Sequence, residues 1–325
     1  MYQTVGDHLK TIDTVLIASH VHPDGDAIGA LTALGAGLLN MGKNVTLYNE
    51  DPVPAAYRFL PLSDCVVRHI DDLGRYEAAV ILDCSKIERI GRLAETIGAV
   101  PLLINIDHHC SNDRFGGIQL VDCEACATAE IVYNLLKTME VEITREVAYG
   151  LYTGIVTDTA SFSMGNTGAS TFAICGELVR AGADPQAVSK NVYITYSAER
   201  IRLMQMVLNT FELSENGAVS MLLVTQEMIK KSGMKTENVG RVVNYAKHIE
   251  NVRIAALVLE EENHADDLPD GGSRFHVSLR SDGSVDAARI AVGFGGGGHS
   301  KAAGFNITAT LSGVKETILR LADSL

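Results

Sequence analysis

The feature that constrains this chain most is a series of strand-length apolar segments that alternate with helix-like segments in its N-terminal part. The apolar segments are rich in Val, Ile and Leu and end in polar residues. They predict strands at 14–19, 44–48, 78–84 and 102–109, and helices at 28–38, 86–97, 125–139, 145–156 and 170–181. Continuously apolar strands that alternate with helices are typical of parallel sheets buried on both faces. The pattern therefore predicts an α/β fold with a mostly parallel sheet covered by helices on both faces.

The pattern changes beyond about residue 213. Here the sequence predicts an amphipathic helix at 197–211, strands at 218–224, 252–260 and 274–280, a helix at 236–248, an exposed turn at 263–272 and a final helix. At 325 residues the chain is long enough for two domains. We predict domains at 1–195 and 214–325 joined by a helical linker at 196–213, with the smaller C-terminal α/β domain lying across a cleft. The amphipathic helix could instead be the last helix of the first domain.

The charge of the chain limits which partners it can bind. It carries 27 Lys and Arg against 40 Asp and Glu, a formal net charge of −13. Tight binding to long nucleic acid depends on many cationic contacts to phosphates, so we expect none, whereas a short phosphorylated substrate stays compatible. No apolar segment is as long as a membrane span and no signal-peptide pattern begins the chain, so we expect no membrane partner and a cytoplasmic location. The oligomeric state stays open, a homodimer included.

Two of the six cysteines, Cys123 and Cys126, form a Cys-x-x-Cys pair. A structural zinc site usually needs a second such pair or two histidines nearby. We therefore favour reduced thiols over a zinc or redox site.

Side chains typical of metal sites follow several predicted strands and helices. They are His20, Asp24, Asp26, Asp83, Asp107, His108, His109 and Asp158. Loops at the carboxyl ends of strands meet at one edge of an open α/β sheet, so we expect these side chains to converge. Carboxylates held that close repel one another unless cations neutralise them, and two divalent metals would balance four of these five carboxylates. Carboxylate and imidazole ligands suit Mn²⁺, Fe²⁺ or Zn²⁺.

The first of these loops has an ordinary alternative when it is taken alone. Asp26 could cap the helix that follows, Gly25 could serve a turn and His20 could be an unremarkable polar residue.

In their order along the chain, these residues resemble motifs I to IV of the DHH phosphoesterase superfamily. The matching residues are His20-x-x-x-Asp24-Gly-Asp26, the isolated Asp83, Asp107-His108-His109 and Asp158. The segment Gly295-Gly296-Gly297-Gly298-His299-x-x-Ala302-Ala303-Gly304-Phe305 is similar to the signature of the DHH-associated C-terminal domain. Length and domain pair are similar to those of the stand-alone nanoRNase (NrnA-like) branch, which hydrolyses oligoribonucleotides and pAp.

The resemblance implies a role for each matching residue. One metal would be held by His20, Asp24 and Asp83, and the other by Asp26, Asp83, His108 and Asp158, with Asp83 bridging. Both ions would be divalent, and Mn²⁺ is the expected metal. Asp107 would orient an imidazole by hydrogen bonding, and His109 would face the scissile phosphate. His109 could instead only pack beside its neighbour.

The glycine-rich segment is the candidate nucleotide-binding element of the C-terminal domain. The backbone of Gly296, Gly297 and Gly298 could approach a ligand closely, and its amides could hold phosphate oxygens. His299 and Arg280 would contact the nucleotide, Arg280 by charged hydrogen bonds or by stacking on a base. Arg114 and Asn112, just after the triplet, are further candidates for phosphate contact. A flexible linker is the alternative for the glycines, and an ordinary surface position is the alternative for Arg280.

These inferences predict a Mn²⁺-dependent phosphoesterase that hydrolyses short oligoribonucleotides to mononucleotides and also converts pAp to AMP. A cyclic di-AMP or pApA phosphodiesterase would use the same metals. An inorganic pyrophosphatase is a second alternative, against which the glycine-rich segment argues. A nucleotide-sensing protein without turnover is a third, against which the complete ligand set argues. The sequence fixes neither base preference nor the direction of cleavage.

Overall fold

A computed structural model describes residues 1–194, 197–233, 242–262 and 272–325 of the chain. The chain divides into two compact units, 1–195 and 196–325. None of the described helices combines the length and the apolar character that crossing a membrane requires.

The first unit contains a six-stranded sheet and the helices that cover it. The strands are β1 (Thr14–Ser19), β2 (Asn44–Tyr48), β3 (Val66–Val67), β4 (Ala78–Leu82), β5 (Leu102–Asp107) and β6 (Ile118–Val121). The α-helices are α1 (Tyr2–Thr11), α2 (Gly25–Asn40), α3 (Ala94–Gly98), α4 (Thr128–Thr138), α5 (Arg145–Asp158), α6 (Ala169–Arg180) and α7 (Pro185–Ser189). Three 3₁₀ helices, Ala55–Tyr57, Ser63–Cys65 and Ile87–Ile90, and a π-helical turn, Lys190–Ile194, complete the described part of this unit.

All strand pairs of this sheet are parallel, in the order β3-β2-β1-β4-β5-β6. The α/β class and the mostly parallel sheet expected from the sequence are thereby confirmed. β1 lies in the middle and pairs with β2 on one side and β4 on the other. The chain therefore builds the sheet outward in one direction from β1 and in the opposite direction from β4.

Side chains that alternate along each strand enter two separate cores. In β1, Val15 and Ile17 pack into the core shared with α2, α4 and α5. Leu16 and Ala18 pack on the opposite face, against the segment that contains Ile90 and Ile97. Both faces are thus covered, which explains why the strands read as continuous apolar runs.

The prediction of one helix at 86–97 was wrong. The structure has the 3₁₀ helix Ile87–Ile90 and the short α3, separated at Gly91. Gly91 has a φ of +98°, and a Cβ there would lie 2.8 Å from Val21 Cγ1. The backbone conformation of Gly91 and this close approach end the first helix. The short strands β3 and β6 and the helix α1 were not predicted.

Helices α2 and α5 approach each other closely because glycines face glycines. A Cβ on Gly29 would collide with the carbonyl oxygen of Gly150 and would lie 2.9 Å from the amide nitrogen of Gly154. A larger residue at either surface would push the helices apart. Since Asp26 and Asp158 lie on these two helices, this packing sets their separation.

The second unit contains another six-stranded sheet, in the order β11-β12-β10-β9-β8-β7. Its strands are β7 (Glu212–Leu213), β8 (Val219–Val224), β9 (Ile254–Glu260), β10 (Ser273–Ser281), β11 (Gly297–His299) and β12 (Ala302–Ala309). Its helices are α8 (Ala198–Leu208), α9 (Gln226–Ser232), α10 (Val243–Lys247), α11 (Ala287–Gly293), α12 (Leu311–Leu319) and the 3₁₀ helix Arg320–Ser324. β8 and β9 are parallel, and the other pairs are antiparallel.

One face of the second sheet packs against α11 and α12, and the other packs partly against α8, α9 and α10. Leu203 and Val207 of α8 belong to this second core, so the helix drawn from the sequence as a linker packs within the second unit. The domain limits drawn from the sequence stay a prediction. The predicted turn at 263–272 lies outside the described residues except for Gly272, and so do residues 236–241 of the predicted helix.

Candidate metal centre and active site

The candidate site lies at the carboxyl ends of β1 and β4. These strands are neighbours, and Ser19 at the end of β1 pairs with Leu82 at the end of β4. Because the chain leaves the two strands in opposite directions, their carboxyl ends form the switch point at which open α/β sheets bind ligands. His20 follows β1 directly and Asp83 follows β4 directly, so topology alone brings these two residues together.

The ring of His20 is oriented by its own backbone. Its Nδ1 lies 2.8 Å from the carbonyl oxygen of Val21. A carbonyl oxygen can only accept, so Nδ1 carries a proton, and whenever the ring is neutral its lone pair is on Nε2. Nε2 lies 3.4 Å from Oδ2 of Asp83. The Nδ1 contact therefore selects the tautomer whose Nε2 can bind a metal.

Asp24 and Asp26 have different structural roles at the start of α2. Asp24 Oδ1 accepts hydrogen bonds from the amides of Asp26 and Ala27, at 3.0 and 3.1 Å, so Asp24 is the N-cap. The alternative that Asp26 caps this helix is therefore wrong. Asp26 is buried, and its two oxygens accept the amides of Thr128 and Ala129 at the start of α4, at 2.6 and 2.9 Å.

Asp83 is buried and has a left-handed backbone, with φ of +60°. Its Oδ1 accepts a hydrogen bond of 3.0 Å from the hydroxyl of Thr128 and lies 3.7 Å from Nε2 of His108. Its other oxygen faces His20. The two oxygens of Asp83 thus face two different sets of ligands. Thr128 was missed from the sequence, where it is only the first residue of a helix.

In the triplet that follows β5, the aspartate orients the histidines. Asp107 is fully buried, and its Oδ1 lies 2.9 Å from the amide of His108 and 2.7 Å from Nδ1 of His109. An ionised carboxylate can only accept, so Nδ1 of His109 carries a proton and Nε2 points away from Asp107. Asp107 therefore fixes the orientation of the His109 ring, and its role in catalysis stays a prediction.

Asn112 fixes Asp107 in turn and is not free to bind phosphate through its amide nitrogen. Its Nδ2 donates to Asp107 Oδ2 at 2.6 Å, to Asn105 Oδ1 at 2.8 Å and to the carbonyl of Cys84 at 3.0 Å. Its Oδ1 accepts the amide of Arg114 at 2.6 Å. These hydrogen bonds give Asn112 a positioning role, and a contact with phosphate stays a prediction. Arg114 is exposed on the same loop and stays a candidate.

Asp158 completes the cluster from the end of α5. Its Oδ2 lies 3.7 Å from Nε2 of His108 and 3.5 Å from Nδ2 of Asn166. Between Asp158 and Asn166 the chain makes a tight turn in which Ala160, Ser161 and Phe162 all have a positive φ. These three positive φ values reverse the chain and place Asn166 next to the carboxylate of Asp158. The sequence did not predict this turn.

Three overlapping sets of side chains present ligand atoms within 4.8 Å of one another. They are His20 with Asp24 and Asp83, Asp26 with His108 and Asp158, and Asp83 with His108 and His109. No cysteine belongs to these sets in the part of the chain that the structure describes. Oxygen and imidazole donors of this kind suit a divalent transition metal.

The electrostatics of the carboxylates also favour bound cations. Burial raises the pKa of Asp26 well above its usual value, and the charges of Asp83 and Asp158 raise it further. Burial raises the pKa of Asp158 to about 6; His108 opposes this rise and Asp83 adds to it. Divalent ions would reverse this repulsion, because a bound cation favours the ionised carboxylate. The residues present therefore fit a metal site.

The His109–Asp107 pair favours a charged imidazole. The hydrogen bond to Asp107 raises the pKa of His109, although burial opposes the rise. Burial raises the pKa of Asp107, but the hydrogen bonds from His109 and Asn112 outweigh it and the pKa stands below its usual value. For His20, burial lowers the pKa, and the hydrogen bond and charge of Asp83 raise it overall.

The candidate nucleotide-binding residues of the second unit lie on one face of its sheet. Arg280 of β10 pairs with Ala302 of β12, which pairs with His299 of β11. Directly opposed residues on antiparallel strands point to the same side, so Arg280 and His299 share a face. Phe275 of β10 points to the opposite, core side. Burial lowers the pKa of Arg280.

The glycine-rich segment forms an edge strand instead of a loop. Gly297 to His299 pair with β12, and the rings of Phe294 and Phe305 stack at 4.3 Å between centroids. Gly298 has a φ of +142°, and a Cβ there would lie 2.5 Å from Ala303 Cα. A Cβ on Gly296 would collide with the carbonyl oxygen of Gly304. The alternative of a flexible linker is therefore wrong.

Comparison with known proteins adds two family matches. Residues 14–155 match the DHH family, N-terminal domain, and residues 216–325 match the DHHA1 domain. Over 314 residues the chain is 33% identical to the bifunctional oligoribonuclease and PAP phosphatase NrnA of Thermus thermophilus, covering 95% of this chain and 88% of that protein. It is 28% identical over 304 residues to the Bacillus subtilis protein of the same name, covering 92% and 91%.

A solved structure is similar over almost its whole length. It is that of an exopolyphosphatase-related protein from Bacteroides fragilis, with a TM-score of 0.87 and 29% identity, covering 98% of this chain and 96% of that one.

Proposed function

Because this chain belongs to the DHH family of phosphoesterases, we propose that it hydrolyses short oligoribonucleotides to mononucleotides and pAp to AMP, using two divalent metals. The observation that carries this proposal is the convergence of His20, Asp83 and their neighbouring ligands at the switch point of the sheet. The two activities named for relatives of similar length support the choice of substrate.

We propose that His20, Asp24 and Asp83 hold one metal, and that Asp26, Asp83, His108 and Asp158 hold the other. Mn²⁺ is the metal we expect, because it accepts both carboxylate oxygen and imidazole nitrogen. When bound, a metal pair of this kind activates water and stabilises the charge that develops on the phosphoryl oxygens. The four carboxylates of these sets would hold the pair, and the amides at the start of α4 hold Asp26 in place.

His109 would contact the phosphoryl group through Nε2. Asp107 holds the Nδ1 proton at 2.7 Å, which fixes the ring orientation and favours its protonated form. A protonated Nε2 can donate a hydrogen bond to a phosphoryl oxygen or a proton to the leaving oxygen. Asn112 holds Asp107 in turn, so the position of His109 depends on this chain of hydrogen bonds.

The second unit would bind the nucleotide. Arg280 and His299 share one face of the sheet, and the adjoining strand β11 has glycines at positions 297 and 298. Such a surface can hold a phosphate with Arg280 and leave space for a sugar or base over the glycines. The net charge of −13 argues against an extended basic groove, so the binding surface should end after a few nucleotides.

This limit predicts a dependence on substrate length. With Mn²⁺, hydrolysis of unstructured RNA should be fastest for chains of two to five nucleotides and should fall beyond about five, because one small site replaces the extended groove of strand-tracking proteins. Initial rates on a series of labelled RNAs, with product analysis, measure this. Equal or faster cleavage of a long unstructured RNA would contradict the proposal. Parallel assays with pAp, pApA and cyclic di-AMP separate it from the cyclic dinucleotide alternative.

Metal binding should stabilise the first unit. A ligand present at 100 times its dissociation constant adds about 2.7 kcal/mol to the free energy of unfolding, which corresponds to a rise of several degrees in Tm. Thermal unfolding of chelator-treated protein, with and without Mn²⁺, measures the shift. Asp71→Asn serves as a control that should keep the full shift, because Asp71 is exposed and pairs with the exposed His69. Absence of any shift at millimolar Mn²⁺ would contradict the metal assignment.

A further inference from the structure

Arg89 lies at the same switch point as the metal ligands, although no motif includes it. It belongs to the 3₁₀ helix Ile87–Ile90, which begins four residues after Asp83. Its carbonyl oxygen accepts the amide of Val21 at 2.7 Å, and Val21 follows His20. This hydrogen bond places the backbone of Arg89 next to the end of β1. Arg89 is also close to the end of β4, because only a few residues separate them in the sequence.

Arg89 is half-buried. Among the residues that the structure describes, its guanidinium forms neither a hydrogen bond nor an ion pair. Arg92, three residues later, is more exposed and yet its Nε lies 3.2 Å from Glu50 Oε1. Arginine stays protonated in proteins, and a partly buried cation without an acceptor is unfavourable. An anion that arrives from solution would supply the missing acceptor.

The charge of Arg89 acts on the catalytic side of the cluster. The Asp107 hydrogen bond raises the pKa of His109, and the positive charge of Arg89 opposes that rise. Burial raises the pKa of Cys84, next to Asp83, and Arg89 opposes that rise as well. This influence agrees with the hydrogen bond from Val21 to Arg89, which places Arg89 beside the ends of β1 and β4.

The charge balance of the proposed site favours an additional cation, such as Arg89, beside the metals. Two divalent metals carry four positive charges, and their four carboxylates, Asp24, Asp26, Asp83 and Asp158, carry four negative ones. Protonated His109 and ionised Asp107, 2.7 Å apart, also balance each other. A phosphate anion would therefore enter a site of no net positive charge unless a further cation faced it. The planar fork of an arginine matches two phosphate oxygens, which a point charge does not.

We propose that Arg89 is a catalytic residue that binds the non-bridging oxygens of the phosphoryl group beside His109. This inference rests on the proposed function for the identity of the substrate, but the anion site itself does not. Its chemical class is a phosphate monoester or diester held by a metal centre and one guanidinium.

The test compares Arg89→Gln with Arg89→Lys, and with Arg92→Gln as the matched control. Arg89→Gln should lower kcat/KM for pAp and for a two-nucleotide RNA by about 10- to 100-fold, the effect of losing one charged hydrogen bond. Arg89→Lys should restore only part of the lost kcat/KM, because lysine supplies the positive charge but not the planar guanidinium that binds two oxygens. Arg92→Gln should match the wild type. Metal content and Tm should stay unchanged in all three variants.

Inorganic phosphate provides a readout that does not depend on turnover. In the Mn²⁺-loaded wild type and in Arg92→Gln, phosphate should raise Tm, and in Arg89→Gln it should not. If the wild type hydrolyses neither RNA nor pAp but shows this Arg89-dependent shift, the proposed function fails and the anion site stands. If Arg89→Gln keeps both the wild-type kcat/KM and the phosphate shift, the role of Arg89 is overturned while the function stands. Loss of metal or several degrees of Tm in Arg89→Gln would also overturn it, because Arg89 would then be structural.

Discussion

Replacing Asp83 with Asn is expected to remove both metals at once and to lower phosphoesterase activity by more than about 100-fold, the upper end for a residue that only supports a ligand. Asp83 is the carboxylate whose two oxygens face different ligands: Oδ2 lies 3.4 Å from His20 and Oδ1 lies 3.7 Å from His108. No other residue among the candidates has this position between the two sets. Asp83→Asn should therefore weaken metal binding by both sets of ligands. The metal content of the dialysed protein measures this loss.

Asn tests the charge of Asp83 more specifically than Ala does, because it changes the shape of the side chain less. Asp83 has a φ of +60°, which Asn tolerates better than most residues, and Asn keeps an oxygen that can accept the hydroxyl of Thr128. The variant thus removes charge with little change of shape. His20→Ala should weaken one metal more than the other, because His20 belongs to one set. Two metals retained in Asp83→Asn would refute the bridging assignment, and Asp71→Asn should keep the wild-type content.

The second large effect separates the roles of the two units. His109→Ala should lower the hydrolysis of nucleotides and of bis-p-nitrophenyl phosphate alike, by roughly 10²–10⁴-fold if His109 donates a proton or stabilises charge. His299→Ala should lower nucleotide hydrolysis strongly and change bis-p-nitrophenyl phosphate hydrolysis little. This small activated diester needs little of the remote binding that positions a nucleotide for attack. Both variants should keep the wild-type metal content.

The structure supports this distinction through the contacts of the two histidines. His109 is held by Asp107 at 2.7 Å within the candidate metal cluster, whereas His299 is exposed on an edge strand of the second unit. His248→Ala is a suitable control, because His248 is an exposed histidine of the second unit outside that strand. If His109→Ala and His299→Ala lower both substrates in the same proportion, the division into a unit for chemistry and a unit for nucleotide binding is wrong.

The sequence by itself determined the α/β class and the positions of the long buried strands. β1, β2, β4 and β5 are continuous apolar segments, and burial on both faces of a sheet requires that pattern whatever their neighbours are. It also supplied the candidate ligands, because the chemistry of carboxylate and imidazole is a property of each side chain. The family assignment followed from the order of these residues and is confirmed by the matches at 14–155 and 216–325.

Only the tertiary structure decided how those side chains are used. Asp24 and Asp26 look equivalent in sequence, but Asp24 caps its own helix and Asp26 accepts amides from a helix that begins about a hundred residues later. Thr128 carries no local signal, because its partner Asp83 is 45 residues away. Asn112 stands out in the sequence only by its place after the triplet, and its contact with Cys84, 28 residues away, forms only in the fold. The contact of Arg89 with Val21 likewise exists only in the folded chain. Local patterns report burial and periodicity, whereas a hydrogen bond or an unpaired charge is defined by groups that meet only after the chain has folded.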